Sequence, residues 1–115
     1  MLGLHFDRCN TMGLQLKFEN CILDQSSFYH LKLKGTIFRN CRLHEADLVE
    51  ADLSSAILDN CDLAGASIEN TILEKADLRT SINYSIDPQK NRIKKARFSY
   101  PGVMGLLDGF GIEVI

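Results

Sequence analysis

The stretch Ala46-Asp47-Leu48-Val49-Glu50-Ala51-Asp52-Leu53-Ser54-Ser55 repeats its own pattern after five residues, with a small residue first and a large apolar residue third. Worked outward, a large apolar residue recurs at every fifth position from Phe18 to Leu78, through Phe28, Phe38, Leu58 and Ile68. Two positions before each stands a mostly small residue, such as Cys21, Ser26, Thr36, Cys41, Ala66 or Ala76, with Leu16 and Leu31 as exceptions. A period of five suits neither regular element. On a helix, at about 100° per residue, steps of five scatter the large side chains around the circumference. On a flat strand, an odd spacing sends successive large residues to alternate faces. The chain must therefore run extended for two or three residues and then turn, every time. Strand alternation puts the small and the large residue on one side, which must be the interior.

A second period counts the sides. Glu19-Asn20-Cys21 returns as Arg39-Asn40-Cys41 and as Asp59-Asn60-Cys61, so equivalent positions lie 20 residues apart. Twenty over five predicts four sides per coil, with successive coils about 4.8 Å apart. Stability is then a sum over neighbouring coils, with open ends that need covering.

The thirteen units from residue 16 to residue 80 resemble the A(D/N)LXX consensus of the pentapeptide repeat family. That resemblance implies an all-β, right-handed quadrilateral β-solenoid, the pentapeptide repeat β-helix. The segments Asn83–Pro88, Asn91–Phe98 and Gly105–Val114 resemble the C-terminal region of the subgroup that includes the quinolone-resistance pentapeptide proteins. In that subgroup a terminal helix and strand make a dimer, and an acidic rod imitates duplex DNA to engage type II topoisomerases.

Three segments follow. Residues 1–15 read as an irregular N-terminal coil or cap, because Phe6-Asp7-Arg8-Cys9 echoes Phe18-Glu19-Asn20-Cys21 at an offset of 12, which is no multiple of five. Residues 16–99 form the repeat body, whose last coil contains a loop at Asp87-Pro88-Gln89-Lys90. Residues 100–115 read as a short C-terminal α-helical cap followed by a strand at Ile112–Ile115, since Pro101 suits a first helical position and Gly109 or Gly111 a stop. Their apolar residues Val103, Met104, Leu106, Leu107, Phe110, Ile112 and Val114 are the expected homodimer interface.

Composition fits one ordinary globular body, at 45% hydrophobic and 24% charged residues. No stretch approaches the roughly 18 apolar residues of a membrane span, and the first residues lack the pattern of a secretion signal. A cytoplasmic chain without membrane contact is expected. Reduced thiols are expected at Cys9, Cys21, Cys41 and Cys61, among which no CxxC pair occurs.

Net charge is −2, which by itself points to no partner. Its distribution is uneven. Glu45, Asp47, Glu50, Asp52, Asp59, Asp62, Glu69, Glu74 and Asp77 face the single base Lys75 within one stretch. This acidic belt reads either as a partner-binding surface or as a solvated one, because Asp is also the usual residue before the central Leu of the repeat. Stacked residues 20 apart pair Arg39 with Glu19 and Asp59, Arg42 with Asp62, and His30 with Glu50. His5, His30 and His44 are scattered, the cysteine column has no zinc-ligand spacing, and no Walker, Rossmann or GxSxG pattern occurs. The expectation is a non-catalytic binding module without cofactor or metal. Its partner is a protein, with a type II topoisomerase (DNA gyrase or topoisomerase IV) as the alternative that the resemblance implies, and no direct contact with nucleic acid.

Overall fold

Five-residue units can stack only if each returns to the same register, and the backbone hydrogen bonds fix that register at 20 residues. The computed structural model describes residues 17–100 and 102–107, and its fold is all-β. Strands β1 (Lys17–Glu19), β2 (Ile37–Arg39) and β3 (Ile57–Asp59) pair in parallel in that order, with Phe18 opposite Phe38 and Phe38 opposite Leu58. This first ladder continues through Asp77 to Arg97. A second runs Ile22, Arg42, Asp62, Ile82; a third Ser27, Asp47, Ser67; a fourth Lys32, Asp52, Ile72, Arg92. Four parallel ladders, each advancing by 20, match the four sides counted from the sequence.

Every turn demands one residue in the left-handed region. Asn20, Gln25, His30, Gly35, Asn40 and each fifth residue on to Lys75 have φ between 52° and 73°. Asn and Gly adopt this readily, whereas Gln25, Glu45, Ser55 and Lys75 do so at a cost and are held by the ladders. Ser55, for example, donates its N–H to the Glu74 carbonyl at 2.8 Å. The rhythm skips Thr80, a β-branched residue for which that conformation is most costly.

Most turns close by an N–H donated to the central carbonyl three residues back, as from Ala46 to Leu43 at 3.1 Å and Ala56 to Leu53 at 3.0 Å. The turns after Phe18, Phe38 and Leu58 are built differently. Their buried carbonyls accept from the side chain of the next coil instead: Cys41 Sγ to Phe18 at 3.3 Å, Cys61 Sγ to Phe38 at 3.4 Å, and Ser81 Oγ to Leu58. Asn91 Nδ2 does the same for Ile68 at 3.3 Å. The cysteine column is thus a column of small donors that satisfies interior acceptors. Above it the turn asparagines bond to one another, Asn60 to Asn40 at 2.8 Å and Asn40 to Asn20 at 3.2 Å. Cys41 and Cys61 are free and buried. Cys21 is disulfide-bonded, its partner lying outside the described residues, so the expectation of reduced thiols holds for Cys41 and Cys61 alone.

The interior is filled by the predicted residues. Phe18, Phe38, Leu58 and Leu78 are buried in one column, Phe18 stacks on Phe38 at 5.0 Å, and Phe28 meets Phe38 edge-on at 5.9 Å. Leu31 and Ile68 are only partly buried. Phe98 ends the column half-buried against Tyr84, ring centroids 5.6 Å apart.

Beyond Leu78 the register survives while the central residues change. Ile82 is 55% exposed, and Tyr84 and Ile86 turn inward in place of Asn83 and Pro88. Asp87 accepts the Lys90 N–H on its carbonyl at 3.1 Å and the Gln89 N–H on its carboxylate at 2.9 Å, closing the expected turn. Since Ile72 still pairs with Arg92, this coil keeps its length and swaps which residues point inward.

In place of the expected α-helix stands a five-residue 3-10 helix, Gly102–Leu106. Two glycines in five residues favour the shorter element. Gly105 is also where the segment touches the repeat body: its carbonyl accepts the Ile86 N–H at 2.9 Å, and a Cβ there would fall 2.0 Å from the Tyr84 oxygen. Leu106 is buried against the core, whereas Val103 and Met104 are exposed and Leu107 half-buried. The expectations for residues 1–15 and for Phe110, Ile112 and Val114 fall outside the described residues.

Replacing Leu53, 1% exposed, by Ala should cost about 2–5 kcal/mol in urea unfolding, because the interior cannot collapse around the hole. Replacing exposed Ser55 (φ 58°) by Gly should stabilise the chain by about 0.5–1 kcal/mol by relieving the left-handed strain.

Candidate interaction surface

The aspartate before the central residue has a local task that sequence alone does not expose. The Asp47, Asp52, Asp62 and Asp77 carboxylates accept the N–H two residues on, from Val49 at 3.0 Å, Ser54 at 3.0 Å, Ala64 at 3.2 Å and Arg79 at 3.1 Å. Each is an Asx-type turn that stiffens the bend. Four members of the predicted acidic belt are therefore turn-forming residues first.

Most of the belt has further partners. Asp59 meets Arg39 at 3.3 Å and takes the Thr80 hydroxyl at 2.8 Å. Glu50 holds His30 at 3.6 Å and Tyr29 at 3.2 Å, and Glu45 takes the Gln25 amide at 3.2 Å. The stacked pairs expected at Arg39 and His30 are present. Arg42 departs from expectation: it turns back to Asp24 at 2.6 Å, leaving Asp62 to His44 at 2.7 Å and to Asn83 at 3.0 Å. Arg79 binds Asp77 beside it and not Asp59.

These contacts move the carboxyl pKa values. The Ser54 hydroxyl, then its N–H and the charges of Lys34 and Lys32, outweigh burial and hold Asp52 low. Arg79 does the same for Asp77. For Asp62, burial pushes upward, but hydrogen bonds from His44 and Asn83 prevail and the pKa is lowered. In the interior, the Cys41 thiol and burial together push the Cys61 thiol up, as befits an inert packing group.

The ladders divide the charges around the rod. On the fourth ladder stand Lys32 and Arg92, and on the first Lys17 and Arg97. The turn joining those ladders carries Lys34 and Lys94, then Lys75 and Lys95. Only Asp52, Glu74 and Asp77 share this edge. Half a coil away, the second-to-third turn, the third ladder and the turn that follows carry Asp24, Glu45, Asp47, Asp87, Glu50 and Glu69 against Lys90. The predicted belt is thus divided. Glu45, Asp47, Glu50 and Glu69 come together on an acidic edge, Asp59 and Asp62 lie between the edges, and Asp52, Glu74 and Asp77 sit among the bases. The basic edge went unread in the sequence, although adding 60 to Lys32 and Lys34 lands on Arg92 and Lys94.

Concavity is slight. A groove of about 450 Å³ lined by Asn70, Ile72, Gln89, Lys90, Asn91 and Arg92 runs beside the basic edge. Among the described residues, no three His, Cys, Asp or Glu side chains are grouped to hold a metal ion, and no helix is long and apolar enough to cross a membrane.

Four parallel ladders of five-residue units, with charge sorted by edge, define a repeat protein whose turns form its outer surface. Residues 14–85 match the model of the pentapeptide repeat region, and the chain belongs to that family. Among solved structures it is similar to HetL, a pentapeptide repeat protein involved in heterocyst differentiation regulation in Nostoc sp. strain PCC 7120. The two are 19% identical, with 74% of this chain and 47% of HetL covered, at a TM-score of 0.55. The pentapeptide repeat protein Rfr23 of Cyanothece 51142 is 28% identical over 77% of this chain and 64% of its own, at a TM-score of 0.49. QnrB1, a plasmid-mediated fluoroquinolone resistance protein, is 19% identical over 86% of this chain and 67% of its own, at 0.40. The chain thus spans less than two thirds of Rfr23 and about half of HetL. No curated protein matches it.

Asp52, Asp62 and Asp77 have folded-state pKa values below their unfolded ones. Their contribution is present above the unfolded value and lost as pH falls through the folded one. Urea midpoints should therefore hold from pH 7 to 5 and drop below about pH 4, and Asp77→Asn should make the drop shallower.

Proposed function

We propose that this chain is a non-catalytic pentapeptide repeat module that binds a protein partner through its outer surface. The observation that supports it is the sorting of charge by edge. Glu45, Asp47, Glu50 and Glu69 share one edge with Asp24 and Asp87 and a single base, Lys90, and like charges so arranged steer an oppositely charged surface into register. The repeat winds as a closed right-handed solenoid in the cytoplasm. Its division is an N-terminal coil at 1–15, a repeat body at 16–99 and a C-terminal module at 100–115. That last module covers the open end with Leu106 and joins two copies through Val103, Met104, Leu107 and the apolar residues beyond them.

A type II topoisomerase is the alternative partner, with the acidic residues standing in for phosphates. It draws on the C-terminal likeness to the quinolone-resistance subgroup and on the acidic edge, and it is weakened by the turn hydrogen bonds that occupy Asp47 and Asp62.

Gyrase supercoiling titrated with the chain, with and without a quinolone, separates the two. Protection that disappears when Asp59, Asp62 and Glu69 are changed to Lys establishes the topoisomerase reading. No effect at micromolar protein removes it and leaves the general module. Light scattering on the intact chain and on one ending at Ser99 should give a dimer and a monomer; an intact monomer overturns the dimer.

A further inference from the structure

The strongest unneutralised charge among the described residues is positive. Lys34, Lys75, Arg92, Lys94, Lys95 and Arg97 lie within one edge, and none has an ion pair within 4.0 Å there, whereas Lys17, Arg39, Arg42 and Arg79 are all paired. From Pro88 to Leu107 the chain has no acid at all, so the last coil is basic on its outer face. Lys75 and Lys95 are stacked one coil apart, and the Lys75 N–H bonds to the Lys94 carbonyl at 3.0 Å. Like charges so placed repel, and an opposite charge brought from outside relieves them.

Apolar residues sit inside this basic frame. Ile37 and Ile57 are neighbours on the first ladder, with Ile57 39% exposed, and Ile72 lies on the fourth between Asp52 and Arg92. The groove beside Ile72 and Arg92 offers a shallow recess. An apolar centre with a charged rim is the anatomy of a protein-binding patch. Nucleic acid fits worse: its evenly spaced phosphates would gain nothing from the isoleucines and would meet Asp52, Glu74 and Asp77.

We propose that this basic edge, framed by Lys34, Arg92, Lys94, Lys95 and Arg97 around Ile57 and Ile72, binds an acidic segment of a partner protein whose carboxylates alternate with apolar side chains. The proposal rests on the chain being a binding module and adds a second surface, half a coil from the acidic one.

Fluorescence anisotropy with a labelled Glu/Ser peptide bearing Leu at every third position tests it, beside an all-Glu peptide of equal length and duplex DNA. Wild type should bind the Leu-bearing peptide best, and more weakly as salt rises. Changing Lys34, Arg92, Lys94 and Lys95 to Ser should weaken binding by about tenfold or more, and Ile57→Ser should weaken it several-fold, while Glu45→Gln with Glu69→Gln leaves it unchanged. Circular dichroism confirms that each variant is folded; if the quadruple variant is not, exposed Lys95→Glu carries the same comparison. Full affinity in the basic-edge variant, an equal loss in the acidic-edge variant, or tighter binding of DNA overturns the proposal. The supercoiling assay reads the other edge, so the two readings fail separately.

Discussion

The parallel hydrogen bond between residues 20 apart is the constraint on which everything else depends. Each coil is too narrow to bury its own large residues, and it gains an interior only when the coils above and below lie in register. That register then determines which side chains stack: phenylalanine on phenylalanine, asparagine on asparagine, cysteine thiol against the carbonyl of the coil before. Because every bond has the same step, any property placed at one position repeats along the same edge.

Residues serve this constraint in ways that resemble function until the contacts are seen. The cysteines form a column that invites thoughts of metal, yet Cys41 and Cys61 donate to the carbonyls of Phe18 and Phe38. The aspartates invite thoughts of recognition, yet Asp47, Asp52, Asp62 and Asp77 each hold the turn that follows them. A repeat protein must build its surface from residues that are also its turns, so binding specificity has to come from the positions the turn leaves free. Those are the residue after the central one and the left-handed residue next to it, and at the basic edge they are lysines.

The end of the repeat shows how far the constraint bends. Tyr84 and Ile86 replace the central residues of two units, the Tyr84 hydroxyl with a pKa raised by burial and drawn back by a hydrogen bond with Ser99. The ladders on either side do not shift. Gly105 then lies against Tyr84 with no room for a side chain. The closing segment is thus fitted to the rearranged coil, and a regular coil presenting a leucine there would have offered it a different surface.

Much of the fold was legible in the sequence because a repeat writes the same physical requirement many times. Large residues at every fifth position, from Phe18 to Leu78, set the unit, and the return of Asn-Cys after 20 residues set the coil; both survive single irregularities such as Leu31. What escaped was everything that depends on choosing among neighbours. Stacking by 20 placed Arg42 over Asp62, yet Arg42 turns back to Asp24, since a long guanidinium reaches either coil and only the surrounding contacts decide which. The C-terminal segment is a 3-10 helix because of a contact with Tyr84 that no local signal encodes. The basic edge, too, is assembled from lysines and arginines up to 60 residues apart, and only the winding of the chain brings them side by side.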